Sequence, residues 1–179
     1  MTSTELPPPP WPFPTLPAEL RFLEDIDQVL TSAQLVEVVR RISQTGLWSD
    51  YTVVSQDYRD YRLVFENEFT DIWVLSWLPG QTTGFHDHDR SQVGLGVMQG
   101  ALRESHMRLG DTPVNHVLRA GQFQEGPFGY IHQVAHEEGD LAVSIHAYSP
   151  PLVAVGQYRQ VDGRMVRLAE PGRTRLTPG

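Results

Sequence analysis

The chain has 179 residues, enough for one domain with a hydrophobic core, and its 40% hydrophobic and 20% charged residues are typical of globular proteins. A net charge of −8 without any Lys/Arg cluster disfavours nucleic-acid partners, and no apolar run nears the roughly 18 residues of a membrane span. The lack of cysteine excludes disulfides, thiolate ligands and a cysteine nucleophile, leaving His, Tyr, Ser, Arg and carboxylates for any chemistry.

Seven of the 14 prolines fall between Pro7 and Pro17, so residues 1–17 are expected to form an extended arm. They carry no basic start followed by an apolar core, so a cytoplasmic location is expected. Residues 18–179 are expected to form a single domain, with helices over about 18–46 and a barrel over about 51–168. Leu20, Leu23, Ile26 and Leu30 give Ala18–Leu30 a helical spacing. Thr31 and Gln34 form a capping-box pattern before Leu35, Val38, Val39 and Ile42, and Gly46 is a plausible stop.

From Tyr51 the period shortens. Strand-like runs are Tyr51–Val54, Tyr61–Phe65, Ile72–Trp77, Val93–Val97, Ala101–Met107, Val114–Leu118, Ile131–Ala135, Ala142–Ala147 and Val153–Tyr158, mostly separated by turn residues. Asp162–Gly163 is a two-residue hairpin signal. The expected fold is mainly β: a barrel or sandwich preceded by helices.

Phe85-His86-Asp87-His88 places two imidazoles on one side of a strand. An H-x-H pair is common on protein surfaces, so the wider spacing carries more weight. Gly80 precedes His86 by six residues and Gly100 follows His88 by twelve, while Gly121, Pro127, Gly129 and His132 stand at intervals of six, two and three. This resembles the two motifs of the cupin superfamily, G-x5-H-x-H-x4-E-x6-G and G-x5-P-x-G-x2-H-x3-N. The resemblance implies a jelly-roll β-barrel and a metal held by His86, His88 and His132. Val93 stands where the usual glutamate ligand would be, and His136 replaces the final asparagine. Three neutral imidazoles leave a divalent metal its full charge and open positions for anionic ligands. His106 and His116 lack partner spacing and are expected to be structural or exposed; His136 could share a face with His132, but the motif register favours His132.

Ser144, His146 and Tyr148 alternate with Val143, Ile145 and Ala147, so the three polar side chains share one strand face. Alternation alone favours a half-buried strand with a polar outside. With Ser149-Pro150-Pro151, and with His86 and His88, the pattern resembles the thiol dioxygenase branch of cupins, the type I cysteine dioxygenase family, in a bacterial form. The resemblance implies ferrous iron, Fe(2+), on three histidines, a Ser-His-Tyr relay, and oxidation of a small thiol by O2 to a sulfinic acid. It further implies that Ser144, His146 and Tyr148 take part in catalysis and that Ser149–Pro150 is a cis peptide. The family's tyrosine–cysteine cross-link cannot form here, because Val93 holds the cysteine position.

Family members often anchor the substrate carboxylate with an arginine; Arg62 is the candidate and Arg59 the competitor. Cysteine and 3-mercaptopropionate are comparable substrates. The alternatives are another three-histidine cupin enzyme with a different metal, and a cupin that only binds a small ligand.

Overall fold

In the computed structural model, residues 16–107, 112–161 and 164–168 are described. The proline-rich arm up to residue 15 and the Asp162–Gly163 turn lie outside the described residues. Helix α1 spans Ser32–Thr45 and opens with the expected capping box. The Gln34 N–H donates to Thr31 Oγ1 (3.3 Å), and the Thr31 N–H donates to Gln34 Oε1 (2.9 Å). Leu35, Val39 and Ile42 form its buried face, and Gly46 ends it.

Two expectations are corrected. The first helical segment is a 3-10 helix over Ala18–Asp25, and the chain is extended at Ile26. Leu20, Leu23 and Ile26, three residues apart, fit three residues per turn as well as 3.6. Leu30 reaches the core from outside any helix, its N–H donating to Ser149 Oγ (2.9 Å). Tyr51–Val54 is not a strand: Leu47–Tyr51 is a second 3-10 helix, and Val53 and Val54 are exposed. Among the described residues no strand pairs with this segment, so its β propensity goes unexpressed.

The strands are β1 (Tyr61–Glu66), β2 (Asp71–Trp77), β3 (Phe85–Asp87), β4 (Gln92–Met107), β5 (Val114–Arg119), β6 (Phe123–Gly126), β7 (Ile131–Ser149), β8 (Gly156–Val161) and β9 (Arg164–Arg167). Two pairs of expected short strands are fused. Val93–Val97 and Ala101–Met107 both belong to β4, and Ile131–Ala135 and Ala142–Ala147 both belong to β7. β4 and β7 pair antiparallel along their length, with register shifts between Val97 and Leu102. Around this spine the order is β1-β2-β7-β3-β8-β9, with β4 also pairing β5 and β6. The motif glycines Gly80, Gly100, Gly121 and Gly129 all have positive φ, a backbone state in which a side chain would be strained, which is why their spacing is fixed.

Both faces of the β7 segment 142–149 are covered. Val143, Ile145 and Ala147 pack with Leu35, Val39, Ile72 and Val74 beneath the helices. Ala142 packs with Leu75, Trp77, Leu95 and Leu102 in a second cluster inside the barrel. Ser144, His146 and Tyr148 project into that interior and are 0%, 3% and 3% exposed. The polar face is therefore inward, not a solvated outside.

α1 lies directly on β4 because Gly94 has no side chain. A Cβ there would stand 2.6 Å from the Leu35 carbonyl carbon and the Val36 nitrogen. Backbone cannot yield as a flexible side chain does, so Gly94→Ala is expected to destabilise the protein by about 1–3 kcal/mol. The urea unfolding midpoint measures this loss. Among the described residues, no helix is long and apolar enough to cross a membrane.

Candidate metal centre and active site

β3 is only three residues long, yet it is held on both edges. His86 pairs with His132 on β7, and Phe85, His86 and Asp87 pair with β8. Asp87 pins the strand: its carboxylate accepts from the Gly156 N–H (3.1 Å), the Asp89 N–H (3.0 Å) and the Tyr158 hydroxyl (2.6 Å). Strand alternation turns His86 and His88 the other way, toward β7.

One nitrogen from each of His86, His88 and His132 lies within 4.8 Å of the other two. Hydrogen bonds set two of the tautomers. His86 Nδ1–H donates to the Gly84 carbonyl (3.0 Å), and His132 Nδ1–H donates to Glu104 Oε1 (2.6 Å), which leaves each Nε2 as a lone pair. His132 Nε2 and His88 Nε2 face each other at 3.2 Å. Burial first, and then the neighbouring His132, push His86 down to about 3 and His88 well below the ordinary imidazole value. Imidazoles with converging lone pairs fit a divalent metal, which would occupy the space between them. Among the described residues, no carboxylate belongs to this donor set. Val93, where a glutamate would stand, is buried against Tyr148 and Leu152.

Beside this centre, the donor inventory fixes the direction of a hydrogen-bond chain. The Trp77 indole can only donate, and it does so to Ser144 Oγ (2.9 Å). Ser144 then gives its own proton to His146 Nε2 (3.0 Å). A neutral His146 must carry its proton on Nδ1 and donate it to the Tyr148 oxygen (3.3 Å). Burial holds His146 well below its ordinary value, so the ring is neutral. Burial and then Asp71 push the Tyr148 phenol well above its ordinary value. The Tyr148 proton therefore stays on oxygen and is free to point away from His146. The rings of His88 and Tyr148 are 5.1 Å apart, so this donor adjoins the histidine triad. The Ser149–Pro150 peptide that follows is cis.

The two arginines separate clearly. Arg62 is engaged by Asp60, with Nε 3.1 Å and Nη2 3.3 Å from its two carboxylate oxygens. Arg59 lies over the Trp77 ring at 4.6 Å, and its charge acts on His86, His146 and Tyr148. Arg59 thus stands beside Trp77 within electrostatic reach of the site, while Arg62 is held by Asp60. His136 is outside the triad, in a cleft with Gln81, Thr82, Arg103 and Ser105. His106 and His116 are not isolated: each offers a nitrogen within 4.8 Å of a Glu104 oxygen.

Sequence reasoning gave Asp87 and Glu104 no individual role. Glu104 is 1% exposed and sits opposite His116 on β5 and Val134 on β7. Burial would raise its carboxyl, but the His132 hydrogen bond and the charges of His132 and His116 outweigh this and hold it below its ordinary value.

Asp71 borders Tyr148 and accepts from Trp73 Nε1 (2.9 Å) and the Leu152 N–H (3.2 Å). Burial pushes it up to about 7, despite those bonds. The unfolded chain releases this proton near pH 4, so between pH 4 and 7 the folded state binds more protons and stability falls as pH rises. Asp71→Asn should remove that slope, amounting to roughly 2–3 kcal/mol between pH 5 and 7. Urea unfolding at the two pH values measures it.

The sequence model of the family Cysteine dioxygenase type I matches residues 15–161. Cysteine dioxygenase type 1 of Homo sapiens is 28% identical over 129 residues, 65% of this chain and 63% of that protein. The Danio rerio protein of the same description is 30% identical with the same coverage of both. The chain thus spans slightly less than two thirds of the length of these relatives. Among solved structures, a Klebsiella pneumoniae protein with a double-stranded β-helix domain superposes with a TM-score of 0.54 at 18% identity, covering 62% of this chain and 87% of that one. A Thermus thermophilus protein, TT1209, superposes with a TM-score of 0.50 at 21% identity, covering 57% and 93%. At these identities the two structures show the fold, a mainly β cupin or double-stranded β-helix, here with N-terminal helices.

Proposed function

Because the chain belongs to the Cysteine dioxygenase type I family, shown by its match over residues 15–161, we propose that it is a non-haem iron thiol dioxygenase. It converts a small thiol carboxylate and O2 into the sulfinic acid. The observation that carries this function is a triad of histidines with converging ring nitrogens and no carboxylate among them, beside a phenol oriented by Trp77, Ser144 and His146. The overall change is RSH + O2 → RSO2H: sulfur loses four electrons, dioxygen gains four, and no external reductant is consumed. Ferrous iron, when bound, supplies the redox chemistry that lets dioxygen react with a thiolate.

The protein's own groups divide the remaining work. His86, His88 and His132 hold the metal and leave the other positions to the substrate's donors. Tyr148 donates a hydrogen bond to negative charge that develops beside the triad. His146 and Ser144 hold the phenol and its proton in one orientation, with Trp77 fixing the serine. Arg59 grips the substrate carboxylate with its planar guanidinium. Both cysteine and 3-mercaptopropionate offer the required thiol and carboxylate.

Oxygen uptake with a thiol panel tests the proposal. Iron-loaded protein should consume O2 with cysteine or 3-mercaptopropionate and far less with cysteamine, which has no carboxylate. Zinc-loaded protein should consume none. Turnover of another substrate with zinc, without oxygen consumption, would overturn it. Within the same assay, Arg59→Gln should raise KM for the carboxylate thiol about 10- to 100-fold, the worth of a charged hydrogen bond. Arg62→Gln should change KM much less.

A further inference from the structure

We propose that Glu104 acts as a positioning residue: it supplies, from behind His132, the negative charge that the three-histidine ligand set lacks. This rests on the metal site proposed above and extends it by one layer. Glu104 is 1% exposed, and its Oε1 stands 2.6 Å from His132 Nδ1. A carboxylate only accepts, so the proton is on Nδ1 and the Nε2 lone pair faces His88 and the centre of the triad. The pairing makes the imidazole a stronger donor and fixes its ring plane, as a carboxylate behind a metal-binding histidine does generally.

Two further features show that Glu104 is built for this task. Burying a carboxylate is costly unless opposite charge or donors compensate. Here His116 Nε2 stands 3.0 Å from the second oxygen, off the angle of a hydrogen bond, and His106 completes the cluster. The register leaves little freedom, since Glu104 is two residues before His106, and His106 is the direct cross-strand partner of His132. Glu104 and His132 are thus diagonal neighbours across the two longest strands. Val93 fills the place of a directly coordinating glutamate with hydrocarbon. The negative charge has moved outward, where it strengthens a ligand without occupying a coordination position.

Glu104→Gln tests this because the amide oxygen can still accept from His132 while the charge is removed. Anaerobic titration with Co(II) or Fe(II) should show about 10- to 100-fold weaker binding. The thermal midpoint of the metal-free protein should shift little, which separates a ligand-tuning role from a purely structural one. Wild-type affinity in Glu104→Gln would overturn the proposal. A second measurement needs no variant: ¹⁵N spectra of histidine-labelled wild-type protein should show His132 protonated on Nδ1, with a strongly downfield proton. Protonation on Nε2 would overturn the proposal even if Glu104→Gln failed to fold. His86→Ala separates the two levels. If it leaves metal binding intact, the metal site itself is wrong; if it abolishes binding while Glu104→Gln does not weaken it, only the role of Glu104 fails.

Discussion

His86→Ala should reduce metal content from one ion per chain to near zero and abolish thiol-dependent oxygen uptake. His86 and His88 are two residues apart on the short β3, and His132 reaches them from β7 across a single rung of the sheet. Removing one imidazole leaves two donors and a centre open to water. Removing even an outer partner of a ligand costs up to about 100-fold in affinity. Losing a ligand outright should cost more. Metal analysis after anaerobic loading, paired with near-ultraviolet circular dichroism to confirm the fold, gives the answer. A variant that keeps its metal and its activity would remove the triad from the function.

Tyr148→Phe should lower turnover about 100-fold while leaving metal content unchanged, the low end of what a positioned proton donor contributes. The phenol is buried, keeps its proton, and receives a hydrogen bond from His146. Phenylalanine retains the ring packed against Val93 and Leu152 and removes only the oxygen. It also leaves the His146 Nδ1–H without its acceptor, at a stability cost of about 1 kcal/mol. The effect should therefore fall on kcat more than on folding. Equal turnover in both proteins would reduce Tyr148 to a packing residue.

The parts of this molecule that were legible in the sequence are those where chemistry fixes a spacing. Thr31 and Gln34 announce α1 because a capping box works only at three residues' separation. The glycines of the two motifs bracket the histidines because each takes a backbone state that strains most other residues. Ser144, His146 and Tyr148 were readable as one face, but that the face points inward follows only from the packing of both sides of β7. The length of β4 and β7 was hidden: Gly100 and Gly139 interrupt the strand pattern, yet the ladder runs past them with shifts in register. Arg59 ranked only as the competitor of Arg62 because it precedes β1 and obeys no strand alternation. Glu104 left no local signal, since its partner His132 is 28 residues away and is brought close only by pairing of the long strands.

The pinning of β3 by Asp87 has a consequence for how the molecule is made. Gly156, whose N–H binds Asp87, lies 69 residues further along the chain. A nascent chain on the ribosome presents His86 and His88 long before β8 exists to hold their strand. The β1–β2 pair can form early, but β3 has no edge to dock on until β7 and β8 have emerged. A metal site on these histidines would therefore be completed only after β8 has formed, and a chain cut ahead of β8 would carry all three histidines with β3 held on one edge alone.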